Sequence, residues 1–405
     1  MMRLLLLLAM LVCATAARAQ DVRISGLADF RLVAPSGQDS FLNGGLGKFR
    51  WGSQDHGVHA DIGGLYLRGI ATLTPELIAV GEIMGGRQQS HPVDLLDAYL
   101  RWRPVSTTPL RASFRAGAFF VPVSLENGGI GWTSTWTLTP SAINAWIGDE
   151  LRTIGGEATV EWRGDFGKLE AVGSIFGWNQ TAGVALFDRG WSFSDRTLGL
   201  FGRLRRPVAV ARSTFGANPP TYWADEFRQF NKAAGYYAGL TYESPEDGRI
   251  SLLHYDNQAD PTSHDSNNFG WRTRFWSLGL STEWNGVTIL AQAITGSTAF
   301  TPSAVWSSTT KFWAAYVLAG YEVGDMRYAL RLDRFGSNER HPFGGLMMGE
   351  LGTALTAAAT WSAREWLKIT AEVVGIDYHR EQRRADGLKP HAQEVQAQLG
   401  VRVSF

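Results

Sequence analysis

The 405 residues balance 38 Lys and Arg against 38 Asp and Glu, which excludes a strongly basic surface for nucleic acid or a polybasic membrane tether. Cys13 is the only cysteine and lies in the N-terminal apolar run, so disulfides and cysteine-ligated metal are not expected in the mature chain. With 46 glycines, 16 tryptophans and 21 phenylalanines, the composition favours curved sheet over a helical bundle.

Met1, Met2 and Arg3, the apolar run from Leu4 to Val12 and the segment Ala17-Arg18-Ala19 read as a signal peptide over residues 1–19, with the mature chain starting at Gln20. Cys13 follows Val12 instead of the small residue that a lipoprotein cysteine requires. Past the signal, no apolar stretch approaches the roughly 20 residues of a membrane-spanning helix. A membrane is therefore expected to be crossed only by strands.

Residues 20–405 read as one all-β domain, a transmembrane antiparallel barrel of about sixteen strands. The expected spans are roughly 21–34, 58–73, 77–87, 94–104, 110–121, 151–163, 167–178, 232–244, 249–257, 270–284, 287–297, 311–323, 326–336, 350–362, 366–379 and 392–405. Two examples show the two-residue period. Leu96, Ala98, Leu100 and Trp102 alternate with Asp97, Tyr99, Arg101 and Arg103; Val395, Ala397, Leu399, Val401, Val403 and Phe405 alternate with polar positions, Gly400 interposed. Short turns at Thr74-Pro75-Glu76, Gly164-Asp165, Asn285-Gly286 and Gly324-Asp325 alternate with longer polar connections. Trp102, Trp162, Tyr242, Trp284, Tyr321 and Trp361 each stand on the apolar phase shortly before such a turn, which predicts an aromatic girdle at one membrane interface. Arg196 to Arg205 has the pattern of a strand or a helix, and an even strand count keeps it in the long external loop over 179–231. Arg272 and Arg274 share the phase of Leu278 and Leu280, which places them at the outer rim or after a bulge.

About sixteen strands enclose an aqueous lumen. The connection over 122–150 is long, carries Trp132, Trp136 and Trp146, and is expected to fold inward as a constriction loop. Its Glu126, Asp149 and Glu150 are expected to face pore-lining arginines on inward phases, namely Arg68, Arg101, Arg111, Arg115, Arg327, Arg331 and Arg402, in a transverse field that sets selectivity. The alternative is that these arginines pair with Asp97, Glu157, Glu161, Asp333 and Glu372 and merely satisfy the wall. Asp256, Asn257, Asp260, Asp265, Asn267 and Asn268 carry oxygen ligands without calcium-motif spacing and read as a solvated turn. His56, His59, His91, His254, His264, His341, His379 and His391 lie mainly in or beside loops, and no triad stands out. The chain is therefore expected to be no enzyme, with no metal or cofactor.

These features, with Phe119-Phe120-Val121-Pro122-Val123-Ser124-Leu125-Glu126 leading into the third loop and Leu151-Arg152-Thr153-Ile154-Gly155-Gly156-Glu157 after it, resemble the Gram-negative outer-membrane porins, most closely the phosphate-selective porin O/P-like group. The resemblance implies an integral outer-membrane protein in contact with lipid and lipopolysaccharide, a homotrimer, and Phe405 as a terminal signal for the barrel assembly machinery. It also implies passive diffusion of small hydrophilic solutes, anions among them. Pro122 to Glu150 contains no lysine or arginine, unlike the lysine-bearing constrictions of phosphate-selective members, and the connection around Gln88 to Pro92 is shorter than a subunit latch. The competing readings are a substrate-specific channel in which Trp132, Trp136 and Trp146 stack on sugars or aromatic acids, and a non-transporting barrel, either a hydrolase or an adhesin.

Overall fold

Period-two alternation forces successive side chains to opposite faces, and the chain uses it sixteen times. The strands are β1 Asp21–Ala34, β2 His59–Thr72, β3 Leu77–Gly85, β4 Val93–Trp102, β5 Leu110–Phe119, β6 Thr153–Gly164, β7 Gly167–Gly177, β8 Gly235–Ser244, β9 Gly248–Asp256, β10 Arg272–Trp284, β11 Val287–Ser303, β12 Trp306–Val323, β13 Met326–Glu339, β14 Glu350–Arg364, β15 Leu367–Arg380 and β16 His391–Ser404. Each pairs antiparallel with its sequence neighbours, and β1 closes on β16 through Leu27↔Ser404 to Ala34↔Ala397. The structure is a computed structural model describing residues 21–54, 57–88, 90–208, 210, 222–265, 268–340 and 347–405. The expected signal peptide and Gln20 start, His56, His341 and Asn267 lie outside the described residues.

The barrel is inside-out relative to a water-soluble one. On β16, Val395 is 60% exposed and Leu399 faces outward, while Glu394, Gln396 and Gln398 are buried within. Exposed apolar side chains recur on the outer faces of β10 and β13, among them Leu278, Leu280, Leu330 and Leu332. This continuous greasy belt is stable only in lipid. Among the described residues no helix is long and apolar enough to cross a membrane.

One end of the barrel is made of tight turns, four of which span two residues, and the other end of loops. Asn285 and Gly286 have φ of 50° and 77°, the left-handed pair that lets a two-residue turn follow the strand twist. Trp102, Trp162, Tyr242, Trp284, Tyr321 and Trp361 all face outward near this end, with exposures from 38% to 68%.

The spans differ from expectation in three places. A bulge between Glu82 and Ile83 on the β3–β4 ladder turns Leu96 inward beside Asp97. Leu96, expected to face lipid, is instead fully buried with Tyr66 and Met84. The β11–β12 hairpin runs on to Ser303 and Trp306. Residues 298–310 were expected outside the strands, but the backbone ladder continues through Thr298↔Thr310 to Phe300↔Ser308 and resumes at Ser303↔Trp306. In the third place, Arg203–Arg205 forms a small hairpin strand with Trp223–Asp225, apart from the barrel sheet. Arg272 and Arg274 follow no bulge, because their pairing with Ala299 and Ser297 is continuous. Arg272 pairs with Asp256 at 3.1 Å.

Candidate functional site

Three layers fill the barrel from its loop end to its turn end. The middle layer is the third loop, residues 120–152, folded into the lumen. Its helix α1, Ala142–Glu150, starts where the Ser141 hydroxyl accepts from the Asn144 amide at 3.3 Å. Glu126 reinforces that end, accepting from Ser141 N at 2.6 Å and from Asn144 Nδ2 at 2.9 Å. A carboxylate suits the positive pole of a helix.

The wall grips this loop by its backbone. Arg331, fully buried, donates to the carbonyls of Thr139 (2.8 Å) and Pro140 (3.0 Å) and pairs with Asp333 (2.8 Å) and Glu126 (3.2 Å). Glu372 accepts from the amides of Leu138 (2.5 Å) and Thr139 (3.0 Å), and Gln292 donates to Val123 O at 2.9 Å. These anchors stand on β11, β13 and β15; Arg402 on β16 also donates to Ser134 O at 3.3 Å, and Glu82 on β3 accepts from Gly131 N, so none of these anchors is on β4 to β9.

The outer layer is the described part of the fourth loop, residues 178–208, 210 and 222–234, which packs inside the mouth where an external loop was expected. Trp191 donates to Glu350 (2.9 Å) and to Gly336 O (3.1 Å), Arg380 donates to Phe187 O (3.0 Å), and Asp195 pairs with Arg31 (2.9 Å) and Arg50 (3.1 Å). Helix α2, Val184–Asp188, sits on Glu150, whose carboxylate accepts from Gly183 N (3.2 Å) and Ala185 N (2.9 Å). Trp146 donates to the same carboxylate. Trp146 meets Trp191, Phe275 and Phe312 edge-on at centroid distances of 6.0, 5.5 and 5.2 Å. Where an aqueous lumen was expected, the outer half therefore holds an apolar core.

Burial within the loop-filled mouth disturbs several ionisable groups, Glu150, Glu226 and Lys48 among them. The loss of water pushes the Glu150 carboxyl up to about 7 and Glu226 well above its ordinary range. It also lowers Lys48 to about 8, against the pull of Glu350.

The third layer is a polar recess of about 250 Å³ at the turn end, roofed by Pro122 and Val123 and walled by inward residues of β4 to β10. Arg101 and Arg115 stand there opposite each other. Arg115 is bound in fork geometry to Glu157 at 2.6 and 2.8 Å, and Tyr237 donates to that carboxylate at 2.5 Å.

The expected opposition of acidic loop and arginine wall is met by Glu126 with Arg331 alone, and most of the other charges have nearby partners, Arg331 with Asp333 and Arg115 with Glu157 as in the alternative. Glu126 is joined to Arg331, Asp149 to Arg189 at 2.5 Å, and Glu150 caps α2, all fully buried. Arg68 pairs with Glu82 at 2.5 Å. Arg402 pairs with Asp29 at 2.8 Å. Arg327 donates to Thr135 O at 2.6 Å and lies 4.8 Å above the Trp136 ring. Arg101 and Arg111 have no hydrogen bond or ion pair among the described residues, and Arg111 stands across from Glu161. The three tryptophans are not a free stacking surface either. Trp146 is in the core, Trp132 is stacked on Phe120 at 4.0 Å, and Trp136 lies against Gly320, where any Cβ would strike its ring. Asp256 and Asp260 accept from the amides of Gln258 and Thr262, both at 2.9 Å. Sequence reasoning named Glu372 only as a partner for wall arginines, and it missed Gln292, Lys48, Arg50 and Arg249. Among the described residues no group of three His, Cys, Asp or Glu could hold a metal ion.

No protein-family model matches the chain, and no curated protein does. Solved structures do. OmpF of Salmonella typhi, in complex with daunomycin, has a TM-score of 0.54 at 12% identity, covering 96% of this chain and 99% of that one. The trimer form of OmpT, an outer membrane protein of Vibrio cholerae, has a TM-score of 0.53 at 9% identity, with 95% and 99% covered. This is a porin-like barrel of the outer membrane. A loop-deletion mutant of the same OmpT matches at TM-score 0.51 and 10% identity, over 95% of this chain and 99% of that one. The expectation that the chain is no enzyme does not stand. At this identity, a likeness to OmpT and OmpF carries the fold and leaves enzymatic activity open.

Proposed function

We propose that the barrel is a porin passing small hydrophilic solutes across the outer membrane by a narrow route along the β4–β9 wall. The observation that carries this is the anchoring of the third loop by strands other than β4 to β9. Arg331, Glu372 and Gln292 hold it to β11, β13 and β15, which leaves the polar recess on the facing wall. Solutes entering from the turn end meet guanidinium groups there, which favours anions. The fourth loop is the outer restriction and yields for passage, so unit conductance is small. Kinship with the phosphate-selective porin O/P-like group belongs to the same proposal, with wall arginines in the place of constriction lysines. So does homotrimeric assembly, in keeping with the trimer form described for the OmpT barrel.

Planar lipid bilayers test the function. Purified protein is expected to give stable, small current steps with anion-biased reversal potentials in a salt gradient. Silence across a wide range of salt and voltage would remove the reading.

A further inference from the structure

Like charges directly across a strand pair are destabilising, yet the recess wall carries two such pairs, Arg101↔Arg115 and Glu161↔Glu170. Protein partners relieve only one member of each. Arg115 is neutralised by Glu157 and Glu161 by Arg163 at 2.6 Å. Arg101 and Glu170 face the recess with no hydrogen bond or ion pair among the described residues. Arg249, on the same wall, has its Nε shut off from solvent without a hydrogen-bond partner. A buried donor left unpaired is destabilising, and a bound acceptor would offset that.

The groups on this wall without a protein hydrogen bond are thus two guanidinium groups and one carboxylate. With strands about 4.8 Å apart, Glu170 on β7 stands between Arg101, three strands away, and Arg249, two strands away. The complementary solute carries two carboxylates with an ammonium between them. A volume of about 250 Å³ falls just under the roughly 300–1,000 Å³ of sites for drug-sized ligands, which restricts the solute to a few heavy atoms. We propose that the recess is a binding site for acidic amino acids, whose two carboxylates take the forks of Arg101 and Arg249 and whose ammonium takes Glu170. The inference rests on the porin reading and names the solute that the channel favours.

The test pairs calorimetric binding to detergent-solubilised protein with block of bilayer current, using L-aspartate, succinate, L-alanine and inorganic phosphate at neutral pH. Aspartate is expected to bind and block, with succinate, which lacks the ammonium, and alanine, which lacks the second carboxylate, each roughly tenfold weaker. Glu170→Gln should bring aspartate down to the level of succinate. Arg101→Gln and Arg249→Gln should each weaken aspartate roughly tenfold, and Arg274→Gln, on the outer face, should change nothing. Succinate or phosphate binding as tightly as aspartate would overturn the proposal in favour of a plain anion site. Current steps without aspartate binding would overturn the site and leave the channel. If no steps are seen, the porin reading fails and calorimetry alone decides the site.

Discussion

Arg331 holds two carboxylates and two loop carbonyls at once, without contact with water. Replacing it with methionine keeps the bulk and strands Glu126 and Asp333 as buried charges, which should cost about 3–5 kcal/mol. Urea unfolding in detergent reads the loss, and a change below about 1 kcal/mol would show that the network does not lock the loop. Glu150 makes a different prediction. Its carboxyl is held at about 7 against an ordinary 4.5, so the folded state binds the extra proton between those values. Stability from this group is therefore greatest at the acid end and falls as pH rises through the window. Glu226 is shifted the same way, whereas Lys48, lowered to about 8, changes its share only above that window. Amide exchange in the fourth loop, corrected for its intrinsic pH dependence, should thus show stronger protection at about pH 5 than at about pH 7. Glu150→Gln should flatten part of that difference. Equal slopes in the two proteins would mean that the carboxyl is not linked to loop packing.

At the level of elements, the fourth loop is the part whose removal should change transport most. Replacing residues 184–228 with a short Gly/Ser linker takes away Phe187, Trp191, Leu198 and Leu200, all buried in the mouth. Single-channel conductance should rise severalfold, and an unchanged conductance would place the restriction elsewhere. Why this loop was read as external is instructive. The strands were legible because lipid demands apolar residues at every second position, as in Val395, Ala397 and Leu399. Trp191, Phe193, Leu198 and Leu200 repeat with no period, so their burial left no pattern. The sign lay on β12, where Phe312, Ala314, Tyr316 and Leu318 are buried inside while Trp313, Val317 and Tyr321 meet lipid. A strand apolar on both faces needs something apolar within the barrel to pack against. The inward folding of the third loop was legible from its length and its rings. Which of the seven wall arginines each carboxylate would take was not, because pairings such as Glu126 with Arg331 join residues some two hundred positions apart.

For the molecule as a whole, asymmetry of the lumen matters more than strand number. Sixteen strands could enclose a wide aqueous channel, but two inserted loops fill the outer half, the fourth reaching β4 through Leu200 N on Leu95 O at 2.8 Å, and a polar recess remains along β4 to β10 at the turn end. Because the only cysteine of the sequence is Cys13, single cysteines can be placed in turn at Ser113, Thr159 and Ser251 on the recess wall and at Thr356 and Gln398 on the sealed side. The most direct measurement is the effect of a charged, water-soluble thiol reagent on current through each variant in a bilayer. A fall in current at Ser113→Cys, Thr159→Cys and Ser251→Cys, with none at Thr356→Cys and Gln398→Cys, is the result expected of a route along β4–β9. The reverse pattern, or equal effects on both sides, would contradict it.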